Sequence, residues 1–301
     1  MPCYHPMKGW RGRLDGRIVF NKALGYVDKP VEVSCGQCIG CRIERSRQWA
    51  VRMMHEAQMH DANGYLTLTY ADENLPEYGG LRLEDFQKFM KRYRERIAPT
   101  KIKFFHCGEY GENGDRPHYH AIIFGHEFED KRYFKSIKGH PYYVSGLLSE
   151  LWPYGHHLIG DVTFGSCQYV AQYVTKKING KGADDYYSVV DKETGEIHSI
   201  PPEYATQSNG IGLSWYKKFR SDVFNGGQSD DVVHDNKARA MKPPRYYLEK
   251  LKEEERLEAL KVRGRRVQRA KENADDNTPE RLEAKEKFVL GRRRYFKNRS
   301  L

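Results

Sequence analysis

The stretch Gly108-Glu-Tyr-Gly-Glu-Asn-Gly-Asp-Arg-Pro-His-Tyr-His-Ala-Ile-Ile-Phe-Gly125 decides how the chain is read. Two runs of strand character, 101–110 and 118–125, flank Glu112-Asn-Gly-Asp115. An Asn-Gly pair at the centre of such a segment is a strong signal for a two-residue hairpin turn, because both turn positions need positive φ. With Asn113 and Gly114 as the turn, Glu109 falls opposite His118 and Cys107 opposite His120. Side chains alternate across a strand, so His118, His120 and Glu109 share one face while Tyr119 points to the other. Pro117 cannot donate a ladder hydrogen bond and can widen the loop, but a register change of two residues leaves these faces unchanged. Two imidazoles and a carboxylate with open positions can hold a divalent cation that accepts a phosphate oxygen, the Lewis-acid role in phosphodiester cleavage. A His-x-His pair alone is often incidental, and the opposed Glu109 is what makes this one a candidate site.

Working outward, 42–60 reads as a helix, and Tyr65-Leu-Thr-Leu-Thr-Tyr70 reads as a strand in which β-branched Thr alternates with Leu. Phe86, Phe89, Met90, Tyr93 and Ile97 recur at helical spacing and form one apolar face for packing on a sheet. A short helix from about 145 to 151, a strand from about 157 to 164 and a helix from about 166 to 177 complete a β-α-β-β-α-β-α order. That order predicts an α+β fold, a mainly antiparallel sheet with helices on it. Between 179 and 229 the pattern weakens, with Gly210-Ile-Gly212 as a loop before Trp215 and Tyr216. Beyond Pro243-Pro244 a charged helix is expected to about Asn273, then a turn from Asp275 to Pro279 and a last basic segment without a sustained heptad.

Tyr169 and Tyr173 sit in Tyr-Val-Ala-Gln-Tyr-Val-Thr-Lys. At ~100° per residue, one helix face carries both phenols and the Lys176 ammonium. The plain reading is an amphipathic helix with half-buried tyrosines. Beside a metal site the same face acquires a chemical use. A phenol with a pKa near ~10 is a poor nucleophile, and a polarised phosphate and a nearby lysine would help it attack. The product is a 5′-phosphotyrosine with a free 3′-hydroxyl, and a second tyrosine can repeat the transfer to close a circle.

Taken together, YLTLTY (Tyr65 to Tyr70), GEYG (Gly108 to Gly111), RPHYHAIIFG (Arg116 to Gly125) and YVAQYVTKK (Tyr169 to Lys177) resemble, in this order, the HUH endonuclease superfamily. Within it the chain is similar to the replication initiators of microvirus, gokushovirus-like, single-stranded DNA bacteriophages. CGQCIGC and LWPYG (Leu151 to Gly155) extend the resemblance over about Met1 to Arg220. The resemblance implies Glu109, His118 and His120 as ligands of Mg²⁺ or Mn²⁺, Tyr169 and Tyr173 as alternating nucleophiles, and Lys176 assisting. It also implies a five-stranded antiparallel sheet and an origin-specific cut in single-stranded DNA, with the host helicase and replication proteins as further partners. The expected division is a cysteine-rich arm and helix over 1–60, the endonuclease domain over 61–225, and a charged helical or flexible tail over 226–301.

Cys35, Cys38 and Cys41 form C-x-x-C-x-x-C, and Cys3 can supply a fourth thiolate for a closed structural Zn²⁺ site, with His5 as a substitute ligand. Free thiols and an iron–sulfur cluster are the alternatives, the latter without the proline that often follows a ferredoxin cysteine. Zinc would anchor an arm with little core of its own. Composition agrees with this picture. Of 301 residues 39% are hydrophobic, enough for a core, and 51 Lys and Arg against 41 Asp and Glu give +10. From Met241 to Leu301 there are 19 basic and 11 acidic residues, so most of the excess lies at one end. A basic excess favours polyanions without naming one. No apolar run approaches a membrane span and the first residues have no apolar signal core, so a cytoplasmic protein is expected. Two other functions fit parts of the pattern: a noncatalytic zinc-containing nucleic-acid-binding protein whose tyrosines stack on bases, and a metal-dependent hydrolase that activates water.

Overall fold

The computed structural model describes residues 3–111, 116–173, 182–191, 193–224, 232–234 and 239–298. The chain forms two compact units, one of Ser46–Glu253 and one that combines Met1–Arg45 with Glu254–Leu301. In chain order the elements are β1 (Met7–Gly12), β2 (Ile18–Val19), β3 (Gly25–Val33), α1 (Ile39–Ala57), β4 (Asn63–Tyr70), α2 (Leu83–Arg96), β5 (Lys103–Tyr110), β6 (Pro117–Phe124), β7 (Arg132–Ile137), β8 (His140–Val144), α3 (Gly146–Leu151), β9 (Gly155–Gly160), α4 (Phe164–Gln172), α5 (Ala183–Tyr186), β10 (Ser188–Val190), β11 (Ile197–Ser199), β12 (Tyr204–Gln207), α6 (Leu213–Val223), β13 (Val232–His234), β14 (Arg239–Met241), α7 (Arg245–Glu254), α8 (Arg256–Glu272) and α9 (Pro279–Asn298).

In the larger unit, one sheet runs in the order β12-β5-β6-β4-β9-β8-β7, with every pairing antiparallel. The β5–β6 register is the one the sequence predicts, Glu109 opposite His118 and Cys107 opposite His120. The Asn113-Gly114 turn itself lies outside the described residues. On the other side of β6, Thr67 and Thr69 of β4 stand opposite His120 and His118. Leu66, Leu68, Tyr119, Ile123 and Ile159 face one layer, where Phe86, Phe89 and Tyr93 of α2 and Trp152 close the core. Tyr65, Phe105, Cys107 and Ile122 face the opposite layer, against Ala50 and Met53 of α1 and Cys167, Val170 and Ala171 of α4. The predicted metal-binding side chains belong to this second face.

The sheet has seven strands rather than the five expected. β4, β5, β6 and β9 are the strands legible in the sequence; β7, β8 and β12 are not. β7 is exposed at every residue, so no alternation marks it, and β12 is only four residues long. β9 also ends earlier than expected, at Gly160, because Thr163 caps α4 through reciprocal bonds with Ser166 and starts that helix at Phe164.

The smaller unit contains a three-stranded sheet in the order β2-β1-β3, together with α8 and α9. The single helix expected up to about Asn273 is two, α7 and α8, separated at Glu255, whose φ of −137° and ψ of 75° are not helical. α9 begins with Pro279, whose fixed φ and missing N–H suit the first helical position. Among the described residues no helix is long and apolar enough to cross a membrane.

Candidate functional site

Glu109 from β5 and His118 and His120 from β6 converge as the register requires. Glu109 Oε1 is 2.8 Å from Nε2 of both histidines. His118 Nδ1 lies 3.0 Å from the carbonyl oxygen of Arg116, which can only accept, so in the neutral ring Nδ1 carries the proton and Nε2 the lone pair. His120 Nδ1 is 2.9 Å from the Tyr65 hydroxyl and 3.0 Å from that of Thr67. Arg116 is in turn anchored by donating to the Tyr70 carbonyl at 2.7 Å and by an ion pair with Asp72. The three ligand atoms lie within 4.8 Å of one another, and adjacent ligands in an octahedral shell at ~2.1 Å stand ~3.0 Å apart. One carboxylate and two imidazoles therefore fit a divalent cation and leave positions for oxygen ligands.

Burial alone would raise the Glu109 carboxyl, but hydrogen bonds that His118 and His120 donate from Nε2 when their rings are protonated, together with the positive charge they then carry, outweigh it and lower its pKa to about 2. The site thus contains a carboxylate at any physiological pH. α4 brings the tyrosines to it. Tyr169 donates its hydroxyl to Glu109 Oε1 at 3.3 Å, and its ring is 5.1 Å from those of His120 and Tyr173. Tyr173, just after the last residue of α4, stacks on His120 at 5.8 Å. The two phenols differ in access, Tyr169 being 40% exposed and Tyr173 3%. Burial first, and the Glu109 charge second, push both pKa values up, so neither phenol ionises at neutral pH without added positive charge nearby. Lys176 lies outside the described residues. Cys107 is fully buried on the same face and is not among the three clustered ligands.

The smaller unit has its own cluster. Cys3, Cys35, Cys38 and Cys41 place their sulfurs within 4.8 Å of one another, with separations of 3.6 Å for Cys3–Cys35, 3.9 Å for Cys3–Cys38 and 4.0 Å for Cys35–Cys41. A tetrahedral ion with metal–sulfur bonds of ~2.3 Å has edges of ~3.8 Å. Gly36, at φ +76°, allows the tight turn between Cys35 and Cys38. Backbone N–H groups of Cys35, Tyr4 and Cys38 donate to Sγ of Cys3, Cys38 and Cys35, each at 3.3 Å. Burial opposes ionisation of Cys38, but such bonds overcome it and lower that thiol to about 6, whereas burial raises Cys3 and Cys41. All four cysteines are free of disulfides. His5 is not in the cluster; its Nε2 meets Glu286 Oε2 at 2.7 Å.

Comparison with known proteins gives this arrangement its context. A family model described as replication-associated protein ORF2/G2P matches residues 63–178, the span that contains Glu109, His118, His120, Tyr169 and Tyr173. Replication-associated protein VP4 of Bdellovibrio phage phiMH2K is 32% identical over 255 residues, 82% of this chain and 76% of that protein. Replication-associated protein ORF2 of Spiroplasma virus 4 is 31% identical over 233 residues, 74% of this chain and 68% of its own length. The chain belongs to the replication-associated proteins of microvirus-like single-stranded DNA phages. A third member, replication-associated protein ORF4 of Chlamydia phage 1, is 36% identical over 192 residues, 60% of this chain and 45% of that protein. No solved structure matches the chain.

In this replication-associated protein, sequence reasoning overlooked the groups that orient the histidines. Tyr65, Thr67 and the Arg116 carbonyl fix both rings. The alternation of YLTLTY carried the signal for two of them, since it puts Tyr65 and Thr67 on one strand face; pairing β4 with β6 would have placed Thr67 opposite His120.

Proposed function

We propose that this protein initiates rolling-circle replication as an HUH-type nicking and strand-transfer enzyme that cuts single-stranded DNA at the origin and becomes linked to it. The observation that carries the reading is the shared oxygen of Glu109, which both imidazoles meet at 2.8 Å and the Tyr169 hydroxyl at 3.3 Å. A divalent cation, Mg²⁺ or Mn²⁺, bound by Glu109, His118 and His120 supplies Lewis-acid polarisation of the scissile phosphate and offsets the carboxylate charge beside the phenols. Tyr65, Thr67 and the Arg116 carbonyl hold the imidazoles in place.

Tyr169 makes the first attack, because it is the accessible phenol and its hydroxyl already reaches the ligand set. Its oxygen bonds to phosphorus, the bond from phosphorus to the 3′ oxygen breaks, the phenol proton is lost to solvent and the 3′ oxygen takes one up. The product is a 5′-phosphotyrosine and a free 3′-hydroxyl, so the phosphodiester is conserved for rejoining. Tyr173 performs the second transfer after a round of synthesis, and Lys176 assists. Zn²⁺ in the Cys3, Cys35, Cys38 and Cys41 cluster has a structural role. The setting is the host cytoplasm, with the host helicase and replication proteins as partners.

The test is incubation of the protein with 5′-labelled single-stranded origin DNA and Mn²⁺, then denaturing electrophoresis and peptide mass spectrometry. The expected result is label on the 3′-hydroxyl fragment and a protein adduct at Tyr169 carrying the downstream strand. DNA binding without any adduct would replace this reading with that of a noncatalytic nucleic-acid-binding protein.

A further inference from the structure

β7 and β8 extend the sheet beyond β9 as a hairpin that the proposed chemistry does not use. Its turn is Lys138-Gly139, both at positive φ, 51° and 81°, which suits the right-handed twist of a two-residue hairpin. The register assigns its faces. Tyr143 is paired with Ile159, whose side chain lies in the α2 layer, so Tyr142 and Val144 turn to the opposite layer, the face of Glu109 and the histidines. Tyr142 packs there beside Tyr65, its ring across Gly160; a Cβ at Gly160 would come within 3.2 Å of that ring. Arg132 and Lys135 pair with Val144 and Tyr142 and so share the face. Neither takes part in an ion pair among the described residues, and both are exposed. Between them and the metal ligands, β9 contributes exposed His156 opposite Thr69, and Thr69 is opposite His118.

Edge strands commonly carry lysines that discourage strand addition, and Lys138 at the turn needs no other explanation. That rule does not ask for two cations with no acidic partner among the described residues on the face of the metal ligands, nor for a half-buried tyrosine ring flanking them. Phe134, at the bulge of the same strand, is 55% exposed and has the Lys135 ammonium 5.2 Å from its ring centroid, whereas Tyr133 pairs with Tyr143 and belongs to the other face. Basic side chains interleaved with aromatic rings suit a single strand, whose phosphates pair with the cations while its unstacked bases lie on the rings. At ~4.8 Å between strands, β7 is about 19 Å from the β6 histidines, within reach of a few nucleotides.

We propose that the site-facing side of the β7–β8 hairpin, Arg132, Lys135 and Tyr142, is a sequence-tolerant track for single-stranded DNA that leads to the Glu109, His118 and His120 cluster. This rests on the nicking reading for its purpose, but the track can be tested without chemistry. Binding of fluorescent (dT)₂₀ to the full-length protein is followed by anisotropy in EDTA across a salt series, for wild type, Arg132→Ala with Lys135→Ala, Tyr142→Leu and Tyr142→Phe. Two lost phosphate contacts should reduce the slope of log affinity against log salt by about 1.4. Tyr142→Leu should weaken binding roughly 5- to 100-fold while leaving that slope unchanged, and Tyr142→Phe, which retains the ring, should bind as wild type. Curves for the charge variant and for Tyr142→Leu that superimpose on wild type, with melting temperatures unchanged, would overturn the track. Adduct formation on origin DNA is scored separately, so loss of the nicking reading and loss of the track give different results.

Discussion

Glu109 Oε1 meets two imidazole nitrogens and the Tyr169 hydroxyl, so changes at single residues should separate the proposed cation binding from the proposed attack on phosphorus. Glu109→Gln keeps the shape and removes the formal charge. Titration with Mn²⁺ followed by calorimetry should show an affinity at least ~10-fold weaker than wild type. Superimposed isotherms would remove Glu109 from the ligand set. Tyr65→Phe combined with Thr67→Val deletes both hydroxyls at His120 Nδ1 and frees the ring to rotate, for which a loss of roughly 10-fold is expected in the same titration, with DNA affinity unchanged. Tyr169→Phe and Tyr173→Phe should leave metal affinity intact and divide the chemistry. Tyr169→Phe should depress the first adduct by ~100-fold or more, because Tyr173 is nearly inaccessible, whereas Tyr173→Phe should allow the first cut and block circle closure. Equal initial adduct yields from the two single variants would reverse the order proposed for them.

Among the elements, the junction of β8, α3 and β9 gives a pH-dependent prediction. Ser145 caps α3 with its hydroxyl, and its backbone N–H donates to His157 Nε2 at 3.0 Å. Burial disfavours the charged ring and lowers the His157 pKa below 6.5. An unfolded chain takes up this proton near pH 6.5, so below that value the unfolded state binds more protons than the folded one. The contribution of neutral His157 is therefore complete above pH 6.5 and is lost as pH falls towards the lower folded value, by up to about 1.4 kcal/mol per pH unit. Denaturant unfolding between pH 8 and 5 should show this decline, and His157→Gln should flatten part of it; identical pH profiles would exclude His157 as the source. The same junction shows what a sequence can convey. Ser145 before Gly146-Leu-Leu reads as a helix start, and the Glu109–His118 register follows from one turn, because caps and turns are local. β7 and β12 carry no such signal: an exposed edge strand and a four-residue strand are held by their neighbours in the sheet, not by a pattern of their own. Tyr65 and Thr67 were legible as a face but not as partners of His120, since strand pairing across 55 and 53 positions is information the whole sheet supplies.

At the scale of the whole molecule, the two candidate metal sites belong to different compact units, the cysteine cluster to Met1–Arg45 with Glu254–Leu301 and the carboxylate–histidine cluster to Ser46–Glu253. They also differ in kind. Four thiolates make a closed set whose ion would contribute to folding, whereas one carboxylate and two imidazoles leave positions open and would bind a hard cation more loosely. The larger unit has two extensive cores against its sheet, while the segment that runs from β1 to β3 exposes Phe20 and Leu24 in the β2–β3 connection at 57% and 59%, and Tyr26 and Val27 of β3 at 41% and 52%, and depends more on the cysteines that bracket it. One zinc per chain is expected by elemental analysis. Removing it with a strong chelator, or replacing Cys38 by Ser, should accelerate amide hydrogen exchange in 7–33 and leave β4, β5 and β6 protected. Chelation of Mg²⁺ or Mn²⁺ alone should abolish adduct formation without altering exchange in 7–33. Exchange that rises equally in both units on zinc removal would show that the cluster supports the whole chain, and protein containing neither zinc nor iron would eliminate the structural metal.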